Sequence, residues 1–129
     1  MDSSVWIDFF RPRPGPSGAE LRRLIAASEP LAITGIIATE ILQGLTRNVS
    51  EIEEYLGLWE LLEPADFSTY LEAARISRIA RSRGISLTTT DTLIAALAIE
   101  YACPVFTIDR DFHQIRKIAP LALYEIKSG

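Results

Sequence analysis

The amino-acid sequence predicts an α/β protein: a three-layer α/β/α sandwich with a mainly parallel central sheet, in a single domain over residues 1–129. Short apolar segments that suit buried strands alternate with longer segments that suit helices, and this order favours a parallel sheet with helices on both faces. A length of 129 residues suits one domain that buries most of its apolar surface. Hydrophobic residues make up 48% and charged residues 23%, an ordinary balance for a globular protein.

The predicted helices are marked by apolar positions three and four residues apart and by signals at their ends. The three prolines and two glycines of "RPRPGPSG", residues 11–18, interrupt the chain before most of them. A serine N-cap followed by acids predicts that one helix starts at Ser50, and a glycine in the C′ position predicts that another ends at Gly84. The predicted helices are residues 18–29, 35–45, 50–63, 66–84 and 90–102.

Three short apolar segments are the strand candidates: "LAIT" (31–34), "PVFTI" (104–108) and "LALYEI" (121–126). The second is rich in β-branched and aromatic residues, as a buried strand should be. In open parallel sheets the ligand site lies beyond the carboxyl ends of the strands. Asp109 and Asp111 directly follow "PVFTI", so we expect them at such a site.

The charge and the cysteine content limit the classes of function and location. A net charge of −4 argues against binding nucleic acid by bulk charge, but it leaves room for metal ions and a local basic strip. The single cysteine, Cys103, cannot form an internal disulfide, and the N-terminus carries an acid where a secretory signal would be basic. The longest apolar stretch is interrupted by Glu100 and Pro104, so we expect a cytoplasmic protein without membrane contact.

Several acids stand at unusual places in these apolar elements. Glu40 falls on the apolar stripe of its predicted helix, where an unpaired carboxylate is expensive to bury; the alternative is a glutamate at the edge of that face. Asp91 follows three threonines at a helix start and could be a helix cap. Asp109 and Asp111 could be turn residues after a strand.

Taken together, these acids predict a metal site. Carboxylates that converge in one pocket repel one another, and a divalent cation removes that repulsion. Carboxylate oxygens suit Mg²⁺ or Mn²⁺. No cluster of cysteine and histidine offers a zinc site, because His113 is the only histidine and is expected at the surface.

Four segments resemble, in order and spacing, the motifs of PIN-domain nucleases, most closely the VapC toxins of bacterial toxin–antitoxin pairs. They are "DSSVWID" (2–8), "TEILQGL" (39–45), "TTDTLIAALA" (89–98) and "TIDRDF" (107–112). Each motif alone is weak, but four in order are specific, and the resemblance covers nearly the whole chain. In similar proteins a first central strand precedes the first acid, whereas here only Met1 precedes Asp2.

The resemblance implies a metal-dependent endoribonuclease that acts as the toxin of such a pair. It implies in-line attack of water on an RNA phosphodiester through a Mg²⁺ or Mn²⁺ site, giving a 5′-phosphate and a 3′-hydroxyl. It also implies a small VapB-like antitoxin as partner and a homodimer. The implied catalytic and metal-binding acids are Asp2, Glu40, Asp91 and Asp109, with Asp111 as a further metal ligand, Ser4 and Thr107 as polar partners behind them, and Asp8 as a structural acid.

Arginines could hold the phosphates of an RNA substrate in this acidic chain. The alternative for the helical arginines is a solvated face with pairs such as Glu72–Arg75. Trp6 and Trp59 are expected in the core or at an interface. The candidate arginines are Arg75, Arg78 and Arg81 at three-residue spacing, Arg110 between two site acids, and a second cluster of Arg11, Arg13, Arg22 and Arg23.

Other classes of function remain open from the residues alone. A PIN-like fold that has lost catalysis and only binds a partner is one alternative, and a DNA-directed PIN nuclease is another, because nothing identifiable reads the 2′-hydroxyl. "VFTIDRDF" also looks like the nucleophile motif of haloacid-dehalogenase-type phosphatases, but too few residues follow Asp111 for their later motifs. A two-component receiver domain would need a lysine directly after a late strand, and neither Lys117 nor Lys127 stands there.

Overall fold

The computed structural model describes residues 3–29 and 31–126, which form two compact units. The first unit comprises the described residues up to Leu62 together with Ile126, and the second comprises Glu63–Glu125. The single domain expected over residues 1–129 stays a prediction. No helix within the described ranges combines the length and the apolar character that crossing a membrane requires.

The first unit pairs two short strands in parallel between helices. Ile33 lies opposite Leu61 and Thr34 lies opposite Leu62. The predicted parallel pairing is therefore present, although each strand is only two residues long. In chain order the elements are α1 (Ser3–Phe9), α2 (Pro16–Ala26), β1 (Ile33–Thr34), α3 (Gly35–Gln43), α4 (Val49–Gly57) and β2 (Leu61–Leu62).

An aspartate of α1 holds the start of α2. The Asp8 carboxylate accepts hydrogen bonds from the N–H of Gly15 (2.8 Å), the N–H of Gly18 (2.7 Å) and the hydroxyl of Ser17 (2.8 Å). Gly15, the N-cap of α2, has no side chain that could satisfy these donors, so Asp8 caps the helix from outside it. The two backbone N–H groups and the hydroxyl hold the pKa of Asp8 below its ordinary value. Asp8 is only 6% exposed, and its carboxylate has the structural role expected of this acid.

Two features pack the first unit around α1. A Cβ on Gly18 would lie 2.6 Å from the carbonyl carbon of Asp8, so the backbones of α1 and α2 approach too closely for any side chain. The buried Trp6 ring contacts neighbouring aromatic rings, including that of Trp59 with centroids 5.2 Å apart. Trp6 therefore belongs to the core of this unit, as expected, and the half-buried Trp59 packs against it.

The bounds of α3 and α4 agree only in part with those predicted from the sequence. Thr34 caps α3 through its hydroxyl, which accepts from the N–H of Ile37 at 3.1 Å. The N-cap of α4 is Asn48, whose backbone is left-handed (φ 57°), a conformation that asparagine tolerates. The predicted N-cap at Ser50 is therefore wrong. The helix predicted to residue 63 stops at Gly57, because Leu61 and Leu62 pair with β1 instead.

The second unit is a helical pair followed by a short parallel bridge. It contains α5 (Ser68–Ser82), α6 (Thr89–Glu100) and α7 (Asp111–Arg116), and α5 packs against α6. α5 ends before Gly84, whose φ of 77° confirms the predicted C′ glycine. The segments 104–108 and 121–126, predicted as strands, meet in a single parallel bridge between Val105 and Leu123. The sequence did not predict α7.

Candidate metal centre

The first turn of α6 fixes Asp91. Thr88 is the N-cap of this helix, and its hydroxyl accepts from the N–H of Asp91 at 3.1 Å. The alternative in which Asp91 itself caps the helix is therefore wrong. Asp91 occupies the third helical position, where the helix dipole stabilises a negative charge. Sequence reasoning missed Thr88, although a threonine three residues before an acid is the pattern of a capping box.

A compact turn fixes the other two aspartates. The Thr107 hydroxyl accepts from the N–H of Asp109 at 2.9 Å, and the Asp109 carboxylate accepts from the N–H of Asp111 at 2.9 Å. α7 begins at Asp111, so Asp109 also holds the start of this short helix. The turn role considered for Asp109 is thus present, and the N–H of Asp111 orients the Asp109 carboxylate.

These two segments bring three carboxylates together. One oxygen each from Asp91, Asp109 and Asp111 lies within 4.8 Å of the other two, and all three residues are half-buried. No other cluster of three acids, histidines or cysteines with this spacing occurs in residues 3–29 and 31–126. Three carboxylates so close repel one another, and a cation among them would reverse that repulsion. The donors are all oxygens, which fits Mg²⁺ or Mn²⁺ better than zinc.

The remaining residues of the predicted site lie elsewhere in the chain. Asp2 is outside the described residues. Glu40 lies on α3 and Ser4 on α1, both in the first unit, and both are half-buried. The roles of Asp2 and Glu40 as metal ligands, and of Ser4 as a polar partner, stay predictions.

The helical arginines differ from one another. Arg75 donates from Nε to the Glu72 carboxylate at 2.9 Å, and this bond lowers the pKa of Glu72 and raises that of Arg75. The alternative of a paired helix face is thus found at Arg75. Arg78 and Arg81 instead line a cavity of about 410 Å³ between α5 and α6. Arg110 is exposed between the two site aspartates.

The second arginine cluster takes part in the packing of the first unit. Arg22 donates to the carbonyl oxygens of Phe9 (2.8 Å) and Arg11 (2.9 Å), and its guanidinium lies over the Phe9 ring. Arg23 forms an ion pair with Glu20. These contacts hold α2 and the chain around it, so they favour a structural role over phosphate binding.

Comparisons with known proteins agree on one family. A family model described as PIN domain matches residues 1–118. VapC ribonuclease Mb1587 of Mycobacterium bovis and ribonuclease VapC11 of Mycobacterium tuberculosis are each 34% identical to this chain over 125 residues. In both cases the match covers 94% of this chain and 93% of the relative.

Solved structures show the same fold. VapBC2 from Rickettsia felis, bound to a DNA fragment from its promoter, superposes with a TM-score of 0.73 at 17% identity, over 98% of this chain and 96% of that one. FitAcB from Neisseria gonorrhoeae superposes with a TM-score of 0.66 at 21% identity, over 96% and 94%. These likenesses confirm the predicted α/β PIN fold with its parallel strands. The chain therefore belongs to the PIN-domain family and, within it, to the VapC group.

Proposed function

We propose that this protein is a metal-dependent endoribonuclease, the toxin of a toxin–antitoxin pair, which hydrolyses RNA phosphodiester bonds at the aspartate cluster. The observation that carries the proposal is the meeting of Asp91, Asp109 and Asp111, from two separate segments, within 4.8 Å. Relatives that are 34% identical over most of both chains carry the name ribonuclease, which supports RNA as the substrate.

The residues of the cluster suit Mg²⁺ or Mn²⁺ by charge and by donor type, with Asp2 and Glu40 proposed to complete the ligand set. When bound, such an ion supplies a water of lowered pKa and neutralises charge on the phosphate. The chain contributes rigid placement of the carboxylates. Thr88 fixes the backbone of Asp91, and Thr107 fixes the backbone of Asp109. The proposed products are a 5′-phosphate and a 3′-hydroxyl.

We also propose the partners expected of a toxin: a small VapB-like antitoxin and a second copy of this chain, in the cytoplasm. The similar folds of VapBC2 from Rickettsia felis and FitAcB from Neisseria gonorrhoeae support an antitoxin partner. Sedimentation of the purified chain tests the homodimer, and co-purification with the product of a small adjacent gene tests the antitoxin. A monomer at micromolar concentration would contradict the first, and failure of the two products to associate would contradict the second.

The test of the activity is cleavage of a tRNA pool by purified protein with Mg²⁺, Mn²⁺ or EDTA. We compare the wild type with Asp91→Asn and with Glu54→Gln, which removes an equal charge from an exposed position on α4. The expected result is metal-dependent cleavage by the wild type and the control, and its loss in Asp91→Asn.

RNA binding and cleavage of single-stranded DNA, measured with the same proteins, test the alternatives. Folded wild-type protein that cuts neither with Mg²⁺ nor with Mn²⁺ but binds RNA would support an inactive binding module. Cleavage of single-stranded DNA without cleavage of RNA would support a DNA-directed nuclease. Either result would overturn the proposal of an endoribonuclease.

A further inference from the structure

A groove in the second unit lies between α5 and α6, with a volume of about 410 Å³. The α5 residues that line it recur at three- and four-residue spacing, so they share one face of that helix. Small side chains lie in the middle of this face, between the larger Tyr70 and Arg81: Ala73, Ala74 and Ser77. Tyr70 and Arg81 are eleven positions apart, which corresponds to about 16 Å along the helix axis, or about three turns of a second helix laid in the groove.

The groove and the metal centre lie on different sides of α6. Thr89, Thr92 and Leu93 line the groove, whereas Asp91 belongs to the aspartate cluster. At about 100° per residue, Asp91 lies about 150° around the helix axis from the mean direction of these three residues. The groove is therefore a second site, separated from the aspartates by the width of α6.

The groove carries a positive charge. Arg78 and Arg81, one turn apart on α5, are both exposed. In the part of the chain that the structure describes, neither takes part in an ion pair, whereas Arg75 is bound by Glu72. None of the described residues that line the groove is acidic. In a chain with a net charge of −4, the two arginines form a local positive site that attracts anionic groups.

The chemistry of the groove favours a polypeptide over a nucleic acid. Its floor is apolar, from Ala73, Ala74 and Leu93, and burying apolar side chains against such a floor is favourable. Only two cations line it, and two phosphate contacts give a nucleic acid little affinity, because that affinity grows with the number of phosphates neutralised. A carboxylate matches a guanidinium group by two parallel hydrogen bonds. A peptide with apolar side chains and two acids would use both features of the groove.

We propose that the groove binds an amphipathic helix of a partner protein, with two carboxylates on Arg78 and Arg81 and apolar side chains over Ala73 and Ala74. Acids three or four positions apart on the bound helix have the spacing of the two arginines. Because the groove contains none of the residues proposed for catalysis, this inference goes beyond the ribonuclease function and does not depend on it. Salt should weaken the complex, since exposed ion pairs are screened.

The test measures peptide binding to the full chain by fluorescence anisotropy. The probe is a labelled, alanine-rich peptide of about 16 residues, with two glutamates four positions apart and leucines beside them on the same helical face. A second peptide carries glutamine in place of both glutamates. We expect the wild type to bind the glutamate peptide at least about fivefold more tightly, because glutamine forms no ion pair with the arginines.

Two variants and a control locate the binding site. Arg78→Gln/Arg81→Gln should bind the glutamate peptide about tenfold more weakly and lose the preference for glutamate over glutamine. Arg47→Gln/Arg83→Gln removes the same charge from exposed positions that do not line the groove, and it should keep the wild-type affinities. Ala74→Phe fills the groove from an exposed position with both cations in place, so it should weaken binding of both peptides by about tenfold. Circular dichroism melts establish that each variant folds.

Three results would overturn the proposal: equal affinity of the wild type for the two peptides, no binding at millimolar peptide, or an equal loss in the control variant. A labelled single-stranded RNA oligonucleotide in EDTA tests the other class of occupant. RNA binding that Arg78→Gln/Arg81→Gln loses, without binding of the glutamate peptide, would identify a nucleic-acid site and overturn the proposal as well. None of these measurements involves cleavage, so failure of the proposed ribonuclease function is distinguished from failure of the groove.

Discussion

Asp8 and the three clustered aspartates all lie near the ends of apolar elements, but their carboxylates have opposite surroundings. Asp8 faces donors: two backbone N–H groups and one hydroxyl surround its carboxylate. Asp91, Asp109 and Asp111 face one another, with one oxygen each inside 4.8 Å. An acid at the end of an element therefore has a structural role where its carboxylate meets donors, and is a candidate metal ligand where it meets other carboxylates.

The two surroundings have opposite effects on folding. Donors around Asp8 favour its charged form and stabilise the folded state. Like charges in the cluster oppose folding, and a cation bound among them would relieve that repulsion. A neutral amide should therefore cost stability at Asp8 and cost activity at the cluster, and this contrast can be tested variant by variant.

The largest expected effect is on catalysis. Asp109→Asn should lower RNA cleavage by at least about 100-fold, since even loss of a residue behind a metal ligand costs about 10- to 100-fold. Its unfolding temperature in EDTA should not fall, because the amide oxygen can still accept from the N–H of Asp111. Cleavage kinetics measure the loss of activity, and thermal melts measure the unfolding temperature.

Asp8→Asn is the counterpart: it should unfold at a lower temperature than the wild type and cleave RNA normally once folded. Retained cleavage in Asp109→Asn would contradict the catalytic role proposed for the aspartate cluster.

The next effect is on stability around Asp8. Gly18→Ala should lower the free energy of unfolding by about 3 kcal/mol, because the new Cβ would meet backbone atoms of Asp8 and Phe9 at 2.6–2.8 Å. Gly57→Ala is the control: nothing lies within 4 Å of its added Cβ, and alanine should stabilise the end of α4 by about 0.5 kcal/mol. Denaturant unfolding of both variants checks this. Equal stabilities would show that α1 and α2 do not approach so closely.

A smaller loss of cleavage is expected when a residue that positions the candidate metal ligands is changed. Thr107→Val keeps the shape of the side chain but removes the acceptor for the N–H of Asp109, so cleavage should fall about tenfold. Thr46→Val, in an exposed loop, should leave cleavage unchanged. The metal concentration needed for half-maximal cleavage should rise only in Thr107→Val. An unchanged metal requirement would mean that this turn does not position Asp109 for the ion.

The smallest expected effect is a difference between the wild type and Asp8→Asn in how stability depends on pH. The pKa of Asp8 is lowered in the folded protein, so its contribution is complete above the unfolded value of about 3.9 and is lost as pH falls through the folded pKa. Urea unfolding between pH 6 and pH 2 should therefore show a shallower acid loss in Asp8→Asn than in the wild type. Parallel curves would contradict the role given to Asp8.

The sequence predicted the helices well where local signals and packing agree. The predicted start of α3 at residue 35 and the predicted glycine after α5 at Gly84 are both found; Thr34 caps the first, and Gly84 adopts the positive φ that glycine tolerates. It failed where tertiary pairing decides: Leu61 and Leu62 continue a helical pattern, yet they pair with β1. The start of α4 depends on the left-handed backbone of Asn48, and the acids after Ser50 gave a false start signal.

The sequence predicted the aspartates of the candidate site better than it predicted the residues that position them. Acids at the ends of several apolar elements were expected to converge, and one oxygen each of Asp91, Asp109 and Asp111 lies within 4.8 Å of the other two. Their catalytic role stays a prediction, as do the roles of Asp2 and Glu40. The partners of Asp8 could not be foreseen, because they depend on the close approach of α1 and α2 that Gly18 permits.

The most direct test is whether the aspartate cluster binds a divalent cation. Crystals of the wild type and of Asp91→Asn, grown with saturating Mn²⁺, would be measured for anomalous scattering. We predict a manganese peak among the carboxylate oxygens of Asp91, Asp109 and Asp111, and its loss in the variant. Wild-type crystals in which the three carboxylates turn apart and no manganese lies among them would contradict it.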